Sequence, residues 1–92
     1  MLTVRVEGRF KKDVKKLAKS GSKDMFRLKK VIDKLEKEEP LGKEYNPHPL
    51  SGNWQDHSEC HIGPDWLLIY RVDKKYNELI LVRSGSHSDL FG

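Results

Sequence analysis

All four histidines of this 92-residue chain, at positions 48, 57, 61 and 87, fall in its second half. Two of them sit in the stretch QDHSECHI, residues 55–62, where His57, Glu59 and His61 alternate with Ser58, Cys60 and Ile62. Successive side chains of a strand point to opposite faces, so a strand here would show three ionisable groups on one face and small or apolar groups on the other. Asp65 follows within GPD, and Arg83 and His87 lie near the C-terminus. An imidazole titrates near pH ~6.5, so it can act as base or acid at neutrality, and an arginine can stabilise an anionic transition state. Neither a nucleophilic serine motif nor a phosphate-binding glycine loop accompanies them. RNA cleavage is the reaction that needs least beyond this set, because the 2′-hydroxyl is already a nucleophile beside the phosphate. A base, an acid and a cation complete the requirement, with no metal or cofactor.

Each of these residues also has a plainer use. Surface histidines are commonly incidental, Asp65 suits a turn, and Trp54 and Trp66 suit packing better than base stacking. Cys60, expected to face inward, reads as a small buried hydrophobe, which argues against a thiol nucleophile. His57 and His61, four residues apart, would converge on a helix but not on a strand, and no second cysteine exists, so the pattern argues against zinc.

The elements that must position these groups follow from periodicity. LTVRVE alternates apolar and polar residues and predicts a strand over 2–7. Phe10, Val14, Leu17 and Ala18 recur at helical spacing and predict a helix over 9–19. After SGS at 20–22, with Ser22 as the expected N-cap, Met25, Leu28, Ile32 and Leu35 predict a second helix to about Lys37. Residues 41–52 form a connector entering the sheet, WLLIYRV (66–72) a central strand, DKKYN (73–77) a hairpin loop and ELILVRS (78–84) the returning strand. The order β-α-α-β-β-β(β) predicts one α+β domain over 1–92, with a helical hairpin on one face of a largely antiparallel sheet and the other face open. Alternation carried on from Arg83 through Gly85 would bring His87 and Arg83 to that open face.

Charge is uneven. Residues 1–43 carry +7 and residues 44–92 carry −3, which reads as either a solvated lysine face or a phosphate-facing surface. A single cysteine, with no signal-like or membrane-length apolar run, points to a reducing cytoplasm and no membrane.

Three motifs, HPLSGNW (48–54), ECHIGPDWLLIYR (59–71) and RSGSHSDLFG (83–92), resemble those of the YafQ-type toxins, a branch of the RelE/ParE superfamily of bacterial type II toxin–antitoxin systems. The resemblance extends in element order over essentially the whole chain. It implies a RelE-like RNase fold and a ribosome-dependent mRNA interferase acting in the decoding A site. It also implies a cognate antitoxin, typically of the ribbon-helix-helix type, through which alone operator DNA would be bound. Matched residue by residue, it implies catalytic roles for His48, His61, Asp65, Arg83 and His87, and an RNA contact for Phe91. His87 would be the base, Asp65 and His61 its tuning groups or the acid, and His48 and Arg83 the phosphate holders. Lys11, Lys12, Lys15, Lys16, Lys29 and Lys30 become candidate contacts to 16S ribosomal RNA. Position 59 is Glu where relatives carry Asp, and position 57 is His where an aromatic is common, so neither is carried over. Two rivals remain: a ParE-like gyrase inhibitor without a catalytic surface, and a non-toxic basic binding module.

Overall fold

The structure, a computed structural model, describes all residues 1–92. Strand β1 (Thr3–Val6) leads into α1 (Gly8–Ser20) and α2 (Met25–Glu36), followed by β2 (His48–Pro49), β3 (Ser58–Gly63), β4 (Trp66–Asp73), β5 (Glu78–Gly85) and α3 (His87–Phe91). The five strands form one sheet in the order β1-β5-β4-β3-β2. β1 runs parallel to β5, and every other pair is antiparallel. The predicted α+β order is therefore present, with the optional fourth strand of the second half supplied by the two residues of β2.

The helix ends follow local rules with one correction. Gly21 closes α1 in the left-handed conformation (φ 69°), where a side chain would be strained. The N-cap of α2 is Asp24, whose carboxylate accepts the Phe26 backbone N–H at 3.0 Å. Ser22, the expected cap, instead interacts with Ser20.

The stripes of α1 and α2 bury Phe10, Leu17, Leu28 and Val31 against Cys60, Ile62, Trp66, Leu68, Leu79 and Leu81 on one sheet face. Each such Leu, Ile or Phe contributes roughly 1.5–3 kcal/mol by leaving water. The other face is less open than alternation predicts. Leu67 and Ile69 are fully buried there beneath Leu90 of α3, with Leu50, Trp54 and Val82 packed around them. β4 is thus buried on both faces, as its continuous apolar run predicts.

Two departures shape the site. The ladder between β4 and β5 slips at Ile69/Tyr70, which face Arg83 and Leu81, so Val82 is an extra residue. Val82 packs with the second cluster and Arg83 turns toward α1. The tail beyond Gly85 does not continue the strand alternation either: it is a one-turn helix, capped reciprocally by Ser86 and Asp89. Gly85 permits that turn, because a Cβ there would meet the Asp89 side chain at 3.1 Å.

Candidate active site

Strand register assembles the first half of the site. His48 lies opposite Glu59 on β2 and β3, and Glu59 opposite Ile69 on β4, so these side chains share the sheet face away from the helical hairpin. His61 is two residues along β3 on that same face. The Glu59 carboxylate sits between the two imidazoles, with Oε1 3.8 Å from His48 Nε2 and 3.7 Å from His61 Nε2. These are ion-pair distances rather than hydrogen bonds. The Glu59 side chain is only 6% exposed, so whatever positive charge the histidines acquire faces a carboxylate poorly screened by water. His48 is oriented by its Nδ1, which donates to the Asn46 carbonyl at 2.8 Å and leaves Nε2 toward Glu59.

The second half is built from a turn and a helix start. Asp65, in the left-handed conformation (φ 47°) of the β3–β4 turn, accepts two hydrogen bonds from His87 at one oxygen. The backbone N–H of His87 donates at 3.0 Å and the ring Nδ1–H at 2.8 Å. The backbone bond and then the ring bond hold the Asp65 carboxyl below its ordinary value of 3.8. An Nδ1–H committed to Asp65 leaves Nε2 of neutral His87 as the basic nitrogen. The ring is more than half exposed, so that nitrogen is open to a substrate.

The two halves meet. His61 lies 6.1 Å from His87 and 6.2 Å from His48 between ring centroids, forming a continuous row of three imidazoles. Beside the row, Trp54 makes edge contacts with Phe91 at 6.1 Å and His57 at 5.5 Å. Phe91 is half exposed at the end of α3 and available to a base, while its neighbour Leu90 is the residue that anchors the helix.

Of the predicted site residues, His48, His61, Asp65, His87 and Phe91 come together on this face. Arg83 does not join them, although the β5 bulge sets it opposite Ile69 on β4, because its guanidinium is taken up by a carboxylate of α1. Its Nε and Nη2 donate to Asp13 of α1 at 2.7 and 3.1 Å, and its side chain is 11% exposed. His57 also leaves the expected row: it precedes β3, turns onto Trp54, and donates Nδ1 to the Gln55 carbonyl. Lys11, Lys12, Lys15, Lys16, Lys29 and Lys30 are exposed on the helical hairpin. Only Lys16 reaches the site's own elements, at 3.9 Å from Asp89 of α3. Cys60 faces the core, and burial pushes its thiol up to about 12, which removes it as a nucleophile at neutral pH.

Glu59 is the site residue that the candidate set lacks. Its alternation with His61 is visible in sequence, but its closeness to His48 depends on the β2–β3 register. No group of three His, Cys, Asp or Glu is arranged to hold a metal ion.

Residues 2–92 match the model of the family described as the bacterial toxin of type II toxin–antitoxin systems, YafQ. The mRNA interferase toxin YafQ of Escherichia coli strain K12 is 40% identical over 90 residues, covering 97% of this chain and 95% of that protein. A crystal structure of a metal-bound toxin from Helicobacter pylori is 47% identical, with TM-score 0.92 over 99% of this chain and 100% of that one. The toxin of the E. coli DinJ–YafQ complex is 38% identical, with TM-score 0.86 over the full length of both chains. The chain, with its row of histidines on the sheet face opposite the helical hairpin, belongs to the YafQ family of bacterial toxins of type II toxin–antitoxin systems.

Proposed function

We propose that this protein is an endoribonuclease that cleaves mRNA in the ribosomal A site and so arrests translation. The observation that carries the reading is the His87–Asp65 pair, a base with its proton-bearing nitrogen fixed and its other nitrogen open, beside a second imidazole. His87 Nε2 takes the proton of the 2′-hydroxyl, whose oxygen attacks the adjacent phosphorus. The P–O5′ bond breaks, leaving a 2′,3′-cyclic phosphate and a 5′-oxygen that takes a proton. His61, with Nε2 facing Glu59, is the proposed acid, and His48 at the other end of the row is the proposed phosphate holder. Arg83, engaged with Asp13, supports the end of β5 rather than meeting the phosphate directly. Phe91 offers a face to a base at the cut, and the exposed lysines meet ribosomal RNA by diffuse attraction.

The partner that silences the enzyme is a cognate antitoxin, by likeness to the DinJ–YafQ complex of E. coli. A ribbon-helix-helix antitoxin would also carry the pair to operator DNA. No helix is long and apolar enough to cross a membrane, and the ribosome places the activity in the cytoplasm. The test is to map 5′ ends of cellular transcripts after brief induction of wild type and His87→Ala. Ends in register with codons in wild type alone support the reading. Ends without register, or equal cleavage by both proteins, overturn it.

A further inference from the structure

Beneath the His87–Asp65 pair lies a buried polar junction that the proposed chemistry does not use directly. β1 pairs with β5 only as far as Val6 and Leu81, so beyond that point β5 has lost its neighbour on that side. The Ser84 backbone N–H is taken there by Asp13 of α1, whose Oδ2 accepts it at 3.1 Å and also accepts Arg83 Nε. The Ser84 side chain, 2% exposed, reaches the other way. Its hydroxyl donates to the Leu67 carbonyl at 2.8 Å and accepts the Trp66 indole N–H at 3.0 Å. Trp66 directly follows Asp65, and Gly85 and Ser86 lead from Ser84 straight into His87.

We propose that Asp13 and Ser84 are positioning residues that together hold the Asp65 turn and the start of α3 at the spacing the His87–Asp65 hydrogen bonds require. A hydrogen bond of 2.8 Å tolerates displacements of only a few tenths of an ångström before it weakens. Its two partners are 22 residues apart and largely exposed, so their own contact does little to enforce it. The junction does so from below: Asp13 fixes β5 from the helix side, while Ser84 ties β5 to the two residues after Asp65. No buried side-chain polar atom in it lacks a partner, so loss of one partner leaves a donor or acceptor that the backbone must move to satisfy. The inference rests on the reading of His87 as the base, and it assigns to α1 a part in catalysis beyond covering the core.

The test reads the His87 ring itself. Long-range ¹H–¹⁵N imidazole spectra of the full-length protein, above the pH at which the ring loses its charge, report which nitrogen bears the proton. Wild type is expected to show the Nδ1–H form. Asp13→Asn and Ser84→Ala should shift His87 toward a mixture of tautomers and lower ribosome-dependent cleavage about ten- to hundredfold at saturating ribosomes, with KM unchanged. His48, held by the Asn46 carbonyl, is the internal control and should not move. Ser84→Thr, which keeps the hydroxyl, should restore the His87 signature even where Asp13→Asn proves too unstable to study. Folded Ser84→Ala protein with a wild-type His87 tautomer would overturn the proposal. If the tautomer changes as expected but His87→Ala still cleaves mRNA, the positioning stands and the catalytic reading falls.

Discussion

The site contains two histidine–carboxylate arrangements that differ in almost every physical respect. Asp65 and His87 are largely exposed, come from a turn and a helix start, and are joined by hydrogen bonds of 2.8 and 3.0 Å. Glu59 is nearly buried on regular strands, and its two histidines stand off at 3.7 and 3.8 Å. The first arrangement is directional: it selects a tautomer and aims one nitrogen outward, while water screens its charge. The second is electrostatic: it fixes a negative charge where water is scarce, and strand register sets the distances. A base needs the former, and an acid or phosphate holder that must carry a proton benefits from the latter.

The largest effect expected is from His87→Ala, which removes the base and should lower single-turnover mRNA cleavage by about 10²–10⁴-fold. Folding and antitoxin binding should survive, checked by melting and co-purification, because the ring is exposed. Asp65→Asn tests the directional half and should cost about tenfold in cleavage, because His87 loses the acceptor that fixes its tautomer. The same variant has an acid-side signature. The carboxyl of Asp65 is lowered in the folded protein, so its stabilisation is complete above the unfolded value of ~3.9 and is lost as pH falls through the lower folded value. The gap in melting temperature between wild type and Asp65→Asn should therefore be larger at pH ~5 than at pH ~3, closing as pH falls below ~4. A gap that widens between pH ~5 and ~3 would contradict the assignment.

Glu59→Gln tests the electrostatic half by removing charge while keeping shape. It should reduce single-turnover cleavage severalfold, because a neutral neighbour removes the negative charge that faces both imidazoles. An unchanged rate would reduce Glu59 to packing. Single lysine-to-alanine changes at positions 11, 12, 15, 29 and 30 should be smallest, under about twofold each in cleavage at low salt. A single lysine with a tenfold effect would indicate a specific contact rather than a diffuse one.

Individual residues show where reading from sequence stops. The tail SGSHSDLFG is chemically informative as written, since it combines a histidine with an apolar anchor. Its helix and its division of labour, Leu90 buried and Phe91 exposed, depend on Leu67 and Ile69 lying beneath it. Deleting Leu90–Gly92 therefore removes part of a core as well as the exposed Phe91 ring. Truncating Leu90 alone to Ala should cost stability on the order of 2 kcal/mol, at the low end for a buried leucine. Arg83 is the instructive error. Strand alternation grouped it with His87, but the tail leaves the strand as a helix and the Arg83 guanidinium is held by Asp13, 70 positions away, a partner no local pattern reveals.

Sequence alone determined the main strands and the two long helices, because periods of two and 3.6 residues are local and each apolar stripe must find cover. It also determined the stock of chemistry: four imidazoles, the motifs that contain three of them, and a cysteine turned toward the core. Only the tertiary structure decided that Glu59 lies between His48 and His61, that Arg83 leaves the site, and that Asp13 and Ser84 underpin His87. Those outcomes depend on register, a bulge and a helix docked across the sheet, where sub-ångström distances are set by residues far apart in the chain.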